Sequence, residues 1–386
     1  MSLRKFKTVA ALASAAVLLG SLGACESERG GDDDAEATTG TDDGGDDAAA
    51  PEDILVGIAM PTRSLERWNK DGSNLQGLLE EAGYQVDLQY ADNEVDQQIS
   101  QIQNMINQEA DILVIASIDG TALAPILADA KEQDITVIAY DRLINETPDV
   151  DYYATFDNYQ VGKFQGEFIR DALDLDNAEG PFNLEPFAGS PDDNNAKFFF
   201  SGAWDVLLPY FEEGKLVSPS GKNPASNDDW QSVGILGWGT EDAQDEMTNR
   251  LNSFYNDGTA LDAVLSPNDS LALGIAQALE GAGYAPGDEY PVLTGQDGDQ
   301  ANVLNILAGK QSMTVWKDTR ELADRVALMV QQIVDGETVE VNDETTYDNG
   351  VKVVPTYLID PKVVTADTVE SDLVESGFYS AEDLGL

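Results

Sequence analysis

The sequence predicts an α/β protein built as two doubly wound, parallel-sheet lobes. Short apolar runs bounded by turn residues alternate with longer stretches of helical periodicity. The alternation begins again after residue 156, and the chain beyond residue 50 is long enough for two cores of ordinary domain size.

Each element follows from its local pattern. Ile54 to Met60 is an apolar run with the length of a buried parallel strand. Ser64 to Glu81 is amphipathic and stops before Gly83, a residue type that ends helices by taking a left-handed conformation. Tyr84 to Tyr90 then reads as strand, Val95 to Gln108 as helix, and Asp111 to Ala116 as strand. Thr121 to Gln133 gives a further helix and Ile135 to Tyr140 a fourth strand. Strand–helix alternation this dense implies parallel pairing through right-handed crossovers. Residues 156–316 repeat the scheme, with strands expected at Phe182–Phe187, Ala263–Ser266, Val292–Gly295 and Ser312–Val315.

Composition excludes several classes of function. The 72 acidic residues against 21 basic ones leave a formal charge of -51, which repels nucleic acid and anionic membranes. Dense carboxylates hold water and suit high salt, yet acidic surfaces also work in ordinary salt, so the charge assigns no habitat. With no histidine, the commonest general base and metal ligand are missing, and serine–histidine and cysteine–histidine catalysis are excluded. One cysteine allows neither an intramolecular disulfide nor a cysteine cluster for zinc.

That cysteine stands in an informative place. Arg4, Lys5 and Lys7 precede an apolar run from Val9 to Leu19, and small residues follow up to Cys25. This is the layout of a secretory signal, too short for a stable membrane span. Leu22-Gly23-Ala24-Cys25 resembles a bacterial lipobox, so residues 1–25 are expected to be a leader and Cys25 the lipidated new N-terminus. From residue 26 to 53 there are twelve acids and one base, with nothing to build a core. Residues 26–52 are therefore expected to be a disordered tether holding the folded part near the membrane.

In doubly wound sheets, ligands sit outside the carboxyl ends of the strands. The residues found there are Arg67 and Trp68 after the first strand and Asp141 and Arg142 after the fourth. In the second unit they are Asp193, Asn194 and Asn195, Trp238, Asn268 with Asp269, Asp297, and Lys317. Carboxylates accept hydroxyl protons, Arg and Asn donate in planar pairs, and indoles cover apolar C–H faces. That mixture suits a free sugar ring. Each residue also has a plainer reading: Asp269 as a helix cap, Trp238 as loop packing, and Asp141–Arg142 as a structural ion pair.

With those residues in view, the chain resembles the periplasmic sugar-binding proteins of the ribose, xylose and galactose class, especially the receptors that take several monosaccharides. The resemblance is carried by Val56–Thr62, Arg67-Trp68, Val114–Thr121, Ala139–Ile144, Tyr153–Asn158 and Gly189–Asn195. It continues through Asp262–Pro267, Gly295–Asp297, Lys317–Leu322 and Gly350–Pro355, covering residues 53–386. It implies a monomeric, cofactor-free receptor without a metal, joined by a three-segment hinge. Its lobes would be 53–155 plus 318–354 and 156–317 plus 355–386, with crossovers near Phe156, Asp318 and Pro355. It further implies that Arg67, Trp68, Asp141 and Arg142 touch the sugar from the first lobe. Asp193, Asn195, Trp238, Asn268 and Asp297 would do so from the second, and Lys317 from the hinge end. Asn268-Asp269 departs from the aromatic–Asp form expected of near relatives, which leaves the preferred sugar open. Its implied partners are a monosaccharide and the transmembrane subunits of an ABC importer, with a membrane sensor as the alternative.

A carboxylate-based glycosidase is the catalytic rival, because Asp192-Asp193 is a paired acid, though such pairs must face each other across a bond. A repressor of similar fold would need a basic helix-turn-helix ahead of the first strand, where this chain has an acid tract. Gly237-Trp238-Gly239 lacks the third glycine of a dinucleotide fingerprint. Asp174, Asp176 and Glu179 lie where some galactose receptors hold calcium, but their spacing reads as a solvated acidic turn.

Overall fold

The computed structural model describes residues 50–386 apart from 288 and 289. The expected leader, Cys25 and the tether up to residue 49 lie outside the described residues. In chain order the strands are β1 (Leu55–Met60), β2 (Gln85–Tyr90), β3 (Ile112–Ile115), β4 (Thr136–Tyr140), β5 (Tyr152–Phe156), β6 (Phe182–Pro186) and β7 (Leu216–Val217). They continue as β8 (Ala263–Leu265), β9 (Val292–Leu293), β10 (Gln296–Asp297), β11 (Thr314–Trp316), β12 (Thr356–Ile359) and β13 (Lys362–Val364). The helices are α1 (Glu66–Glu81), α2 (Val95–Asn107), α3 (Ala124–Glu132), α4 (Asn158–Ala172) and α5 (Asn194–Glu212). After them come α6 (Thr240–Phe254), α7 (Asp269–Gly281), α8 (Gln300–Leu307), α9 (Thr319–Val334) and α10 (Ala381–Leu384).

The first half is a six-stranded sheet in the order β12-β5-β4-β3-β1-β2, parallel throughout. Its inner strands β1, β3 and β4 are apolar on both faces because helices cover both, whereas the edge strand β2 alternates with Gln85, Asp87 and Gln89. On one face Trp68, Leu75 and Leu79 of α1 pack with Leu322, Val326 and Val330 of α9. On the other, Ile102, Met105 and Ile106 of α2 meet Leu123 and Leu127. The approach of α2 is close enough to require glycine at 57, where a Cβ would lie 2.8 Å from the Met105 sulfur.

The second half departs from a single parallel sheet. It has a parallel set β7-β6-β8-β9 and a shorter set β10-β11-β13, in which β13 runs antiparallel to β11. The expected strand Val292–Gly295 is shorter: β9 ends at Leu293, and Thr294 and Gly295 separate it from β10. A large apolar cluster built from α4 to α7 and the parallel strands forms its main core, and a smaller one gathers around Val303, Trp316 and Leu373.

One expected boundary needs correction. The third crossover, expected near Pro355, falls later, because β12 follows that proline and pairs in parallel with β5, Tyr357 opposite Ala154. A proline is tolerated there because β12 is an edge strand. The chain passes to the second half only at Asp360-Pro361, before β13 pairs with β11. Residues 355–359 thus belong to the first sheet. The other two passages lie between β5 and α4, and between β11 and α9, whose apolar faces join opposite cores.

Candidate functional site

The ten residues expected to touch the sugar line one cavity between the two halves, whereas Asn194 and Asp269, also at strand ends, do not line it. In the first half, Arg67 is the organising cation. Its Nε donates to Asp71 at 2.9 Å, one Nη donates to Asp141 at 2.8 Å, and the other reaches Asp297 of the second half at 3.2 Å. Asp71, one helical turn beyond Arg67, is fully buried and also accepts from the Tyr140 hydroxyl at 2.6 Å. Asp71 therefore fixes the direction of the guanidinium from behind.

Asp141 has φ of 59°, in the left-handed region that Asp enters more readily than most side chains. Here three donors converge on its carbonyl: Tyr153 at 2.6 Å, Thr155 at 2.9 Å and the Asn195 amide at 2.6 Å. The result aims its carboxylate at Arg67 and, at 4.0 Å, Lys317. Burial pushes this carboxyl upward, but Arg67, Lys317 and Arg142 outweigh that and hold it below the usual range. Beside it, Arg142 donates to the Ser117 carbonyl at 3.0 Å and pairs with Asp193 of the second half at 2.9 Å. Both guanidinium groups lie near the Trp68 ring, 4.6 and 5.1 Å from its centroid.

In the second half, Asp193 caps α5 by accepting from the Asn195 backbone at 2.9 Å, while its other oxygen takes the Trp238 indole N–H at 3.2 Å. Burial raises its pKa despite the partly offsetting Arg142 charge. Trp238 has φ of 57° and follows Gly237 at 64°, so the loop turns sharply and lays the indole over Gly189. Asn268 lines the cavity and also caps α7, its side-chain oxygen accepting from Leu271 N at 3.0 Å. The cap weighed for Asp269 thus falls to its neighbour.

Asp269 instead organises the turn that presents Asp297. Its carboxylate accepts from the backbone N–H groups of Gly298 and Asp299, the Thr314 hydroxyl, all at 3.0 Å, and the Gln311 amide at 2.9 Å. This holds Asp297 at φ 102° with its carboxylate 2.9 Å from Lys317 Nζ. Burial, with Asp299 and Asp297 nearby, drives the Asp269 carboxyl well above its ordinary range.

Sequence reasoning missed Leu65, Phe199, Ser270, Gln296 and Asp299 among the lining residues, and Asp71 behind them. Phe199 was within reach, four residues beyond Asn195 on the same face of α5. The paired acid does not make a catalytic dyad: Asp192 is held by the Ser190 hydroxyl and only Asp193 lines the cavity. At the acidic turn, Lys215 Nζ donates to the Leu175 carbonyl at 2.8 Å, so an ammonium sits at that loop. Among the described residues no cluster of three or more acids, His or Cys is placed to hold a metal, and no helix is long and apolar enough to cross a membrane.

Two α/β halves joined by three passages, closing charged and aromatic groups over a shared cavity, define a hinged ligand-binding protein. Residues 56–338 match the family described as a periplasmic binding protein domain, and the chain belongs to that family. It is 49% identical over 330 residues to the multiple sugar-binding periplasmic receptor ChvE of Rhizobium radiobacter, covering 85% of this chain and 92% of that one. It is 35% identical to the D-xylose-binding periplasmic protein of Escherichia coli, over 87% of this chain and 94% of the other. Among solved structures, an ABC transporter solute-binding protein from Clostridium phytofermentans with bound β-D-glucose is 52% identical. It superposes with a TM-score of 0.82 over 86% of this chain and 99% of that one.

Proposed function

We propose that this protein is the extracytoplasmic sugar receptor of an ABC importer, closing over one monosaccharide and releasing it to the permease unchanged. The observation that carries the reading is the convergence of Arg67, Asp141, Arg142, Asp193, Asn195, Asp297 and Lys317, with Trp68 and Trp238, on one cavity from both halves. Every one of these polar groups is pre-oriented by a second hydrogen bond or ion pair, so a sugar hydroxyl meets fixed donors and acceptors. A missing hydroxyl would leave a buried polar group short of one hydrogen bond, which costs about 1–3 kcal/mol and gives selectivity. The sugars named for the relatives support an aldose such as glucose or xylose.

In this reading, binding and closure are coupled. A sugar held by one half gains the other half's contacts only when the cleft shuts, so binding shifts the population toward the closed form. The permease would read that form, and a lipid on Cys25 with the 26–52 tether would keep the receptor near it. Affinity in the micromolar range or tighter, roughly -8 kcal/mol, is ordinary for such a site.

Calorimetric titration of the purified protein with xylose, arabinose, galactose, glucose, fucose and ribose tests the reading. One or more should bind saturably and one-to-one, and Asp297→Ala should abolish the heat. No binding of any of them by folded protein would sink the monosaccharide assignment and reopen hydrolysis of a glycoside.

A further inference from the structure

We propose that Glu66 and Lys70 of α1 and Tyr379 of the C-terminal segment form a latch across the cleft, outside the ligand cavity, that stabilises the closed form whatever sugar lies inside. The inference rests on the receptor reading above and assigns a control to that site.

Lys70 Nζ donates to the Tyr379 hydroxyl at 2.6 Å and pairs with Glu66 at 2.7 Å. The Tyr379 hydroxyl has two acceptors for its proton, Glu66 Oε1 and the Gly298 carbonyl, both at 2.9 Å. The second Glu66 oxygen accepts from the backbone N–H of Gln300 at 3.2 Å, at the start of α8. The Lys70 ammonium also lies 4.4 and 4.1 Å from the ring centroids of Phe378 and Tyr379. A second strut runs beside it, where Arg320 of α9 donates to the Ser376 carbonyl at 3.1 Å.

These contacts join separate bodies. Helices α1 and α9 pack on the core of the first sheet, whereas Tyr379 belongs to the apolar cluster of Val303, Ile306 and Trp316 in the second half. Opening the cleft must therefore break them. None of Glu66, Lys70 and Tyr379 lines the cavity, but Leu65 and Asp299, their neighbours in sequence or space, do. Shutting the cavity wall and making the latch are thus one movement.

A contact made only in the closed form multiplies the closed population, and so tightens every ligand by the same factor. A contact to the ligand changes the ranking of sugars instead. Glu66 and Lys70 keep partial exposure, 36% and 28% of their side chains, so water screens the pair and the combined bias is moderate, about ten-fold.

The test compares Lys70→Met and Tyr379→Phe with the unaltered protein, each first checked for folding by circular dichroism. Stopped-flow and calorimetric binding of xylose and glucose should show both Kd values rising by the same factor, about five to twenty, mainly through faster release. Unchanged affinities, or a reversal in the preference between the two sugars, would overturn the latch. If the unaltered protein binds neither sugar, the receptor reading fails by itself. Small-angle X-ray scattering of the ligand-free proteins then decides the latch: a larger radius of gyration in the variants upholds it, and identical radii discard it.

Discussion

At the scale of single residues, the site depends on groups that never face the cavity. Gly189 is one: a Cβ there would lie 2.0–2.5 Å from three carbons of the Trp238 ring. Gly189→Ala should push the indole off its seat and break its bond to Asp193. The expected loss is about 2 kcal/mol or more of sugar affinity, the range for a well-packed aromatic anchor, with far-ultraviolet circular dichroism unchanged. Asp71 is another. Burial raises its carboxyl to about 6 against the pull of Arg67, so the ionised form costs the folded state. The stability held by protonated Asp71 is complete below its unfolded pKa near 4 and is lost as pH rises through about 6. Urea midpoints at pH 4, 5, 6 and 7 should show Asp71→Asn gaining on the unaltered protein by on the order of 2–3 kcal/mol across that window. A difference that does not change with pH would refute the assignment. Asp71 was not legible in the sequence because one acid among 72 carries no mark of burial. Arg67, Asp141 and Asp297 were legible because strand ends in this architecture face the cleft, so topology alone selects them.

At the scale of elements, legibility followed length. Strands β1, β3 and β4 are long apolar runs, and their patterns locate them within a residue or two. β7 and β13 span two and three residues and alternate too briefly to register. β12 was hidden by Pro355, which reads as the end of structure although it leads into an edge strand. The buried ion pair of the second half was equally silent. Glu185 on β6 is fully buried and accepts from Arg250 of α6 at 3.1 Å, Tyr255 at 2.8 Å and the Ser220 backbone at 3.1 Å. This carboxylate ties α6 and the loop after β7 to the sheet. Arg250→Met would leave it buried without its cation, at a cost of about 3–5 kcal/mol. Chemical denaturation should record that loss, while sugar affinity of the folded variant stays unaltered because neither residue lines the cavity. A parallel loss of affinity would show that the network also shapes the site.

At the scale of the whole molecule, the charge of -51 acts on stability without touching the fold. Like charges over the surface repel each other and favour the expanded chain. The pairs inside the cleft, such as Arg67–Asp141 with side chains 8% and 4% exposed, are shielded from mobile ions. Salt should therefore raise the melting temperature while leaving affinity per folded molecule nearly constant. The shape of the curve separates two causes. The screening length falls from about 10 Å at 0.1 M to about 3 Å at 1 M, so relief of repulsion is largely complete within that range. A rise that levels off there assigns the effect to screening alone. A rise that continues to several molar sodium chloride assigns it to carboxylates that hold water and hydrated cations at the folded surface, as a salt-adapted protein would. A melting temperature indifferent to salt from 0.05 M upward would remove both, and would mean that the surface acids are spaced widely enough not to oppose folding.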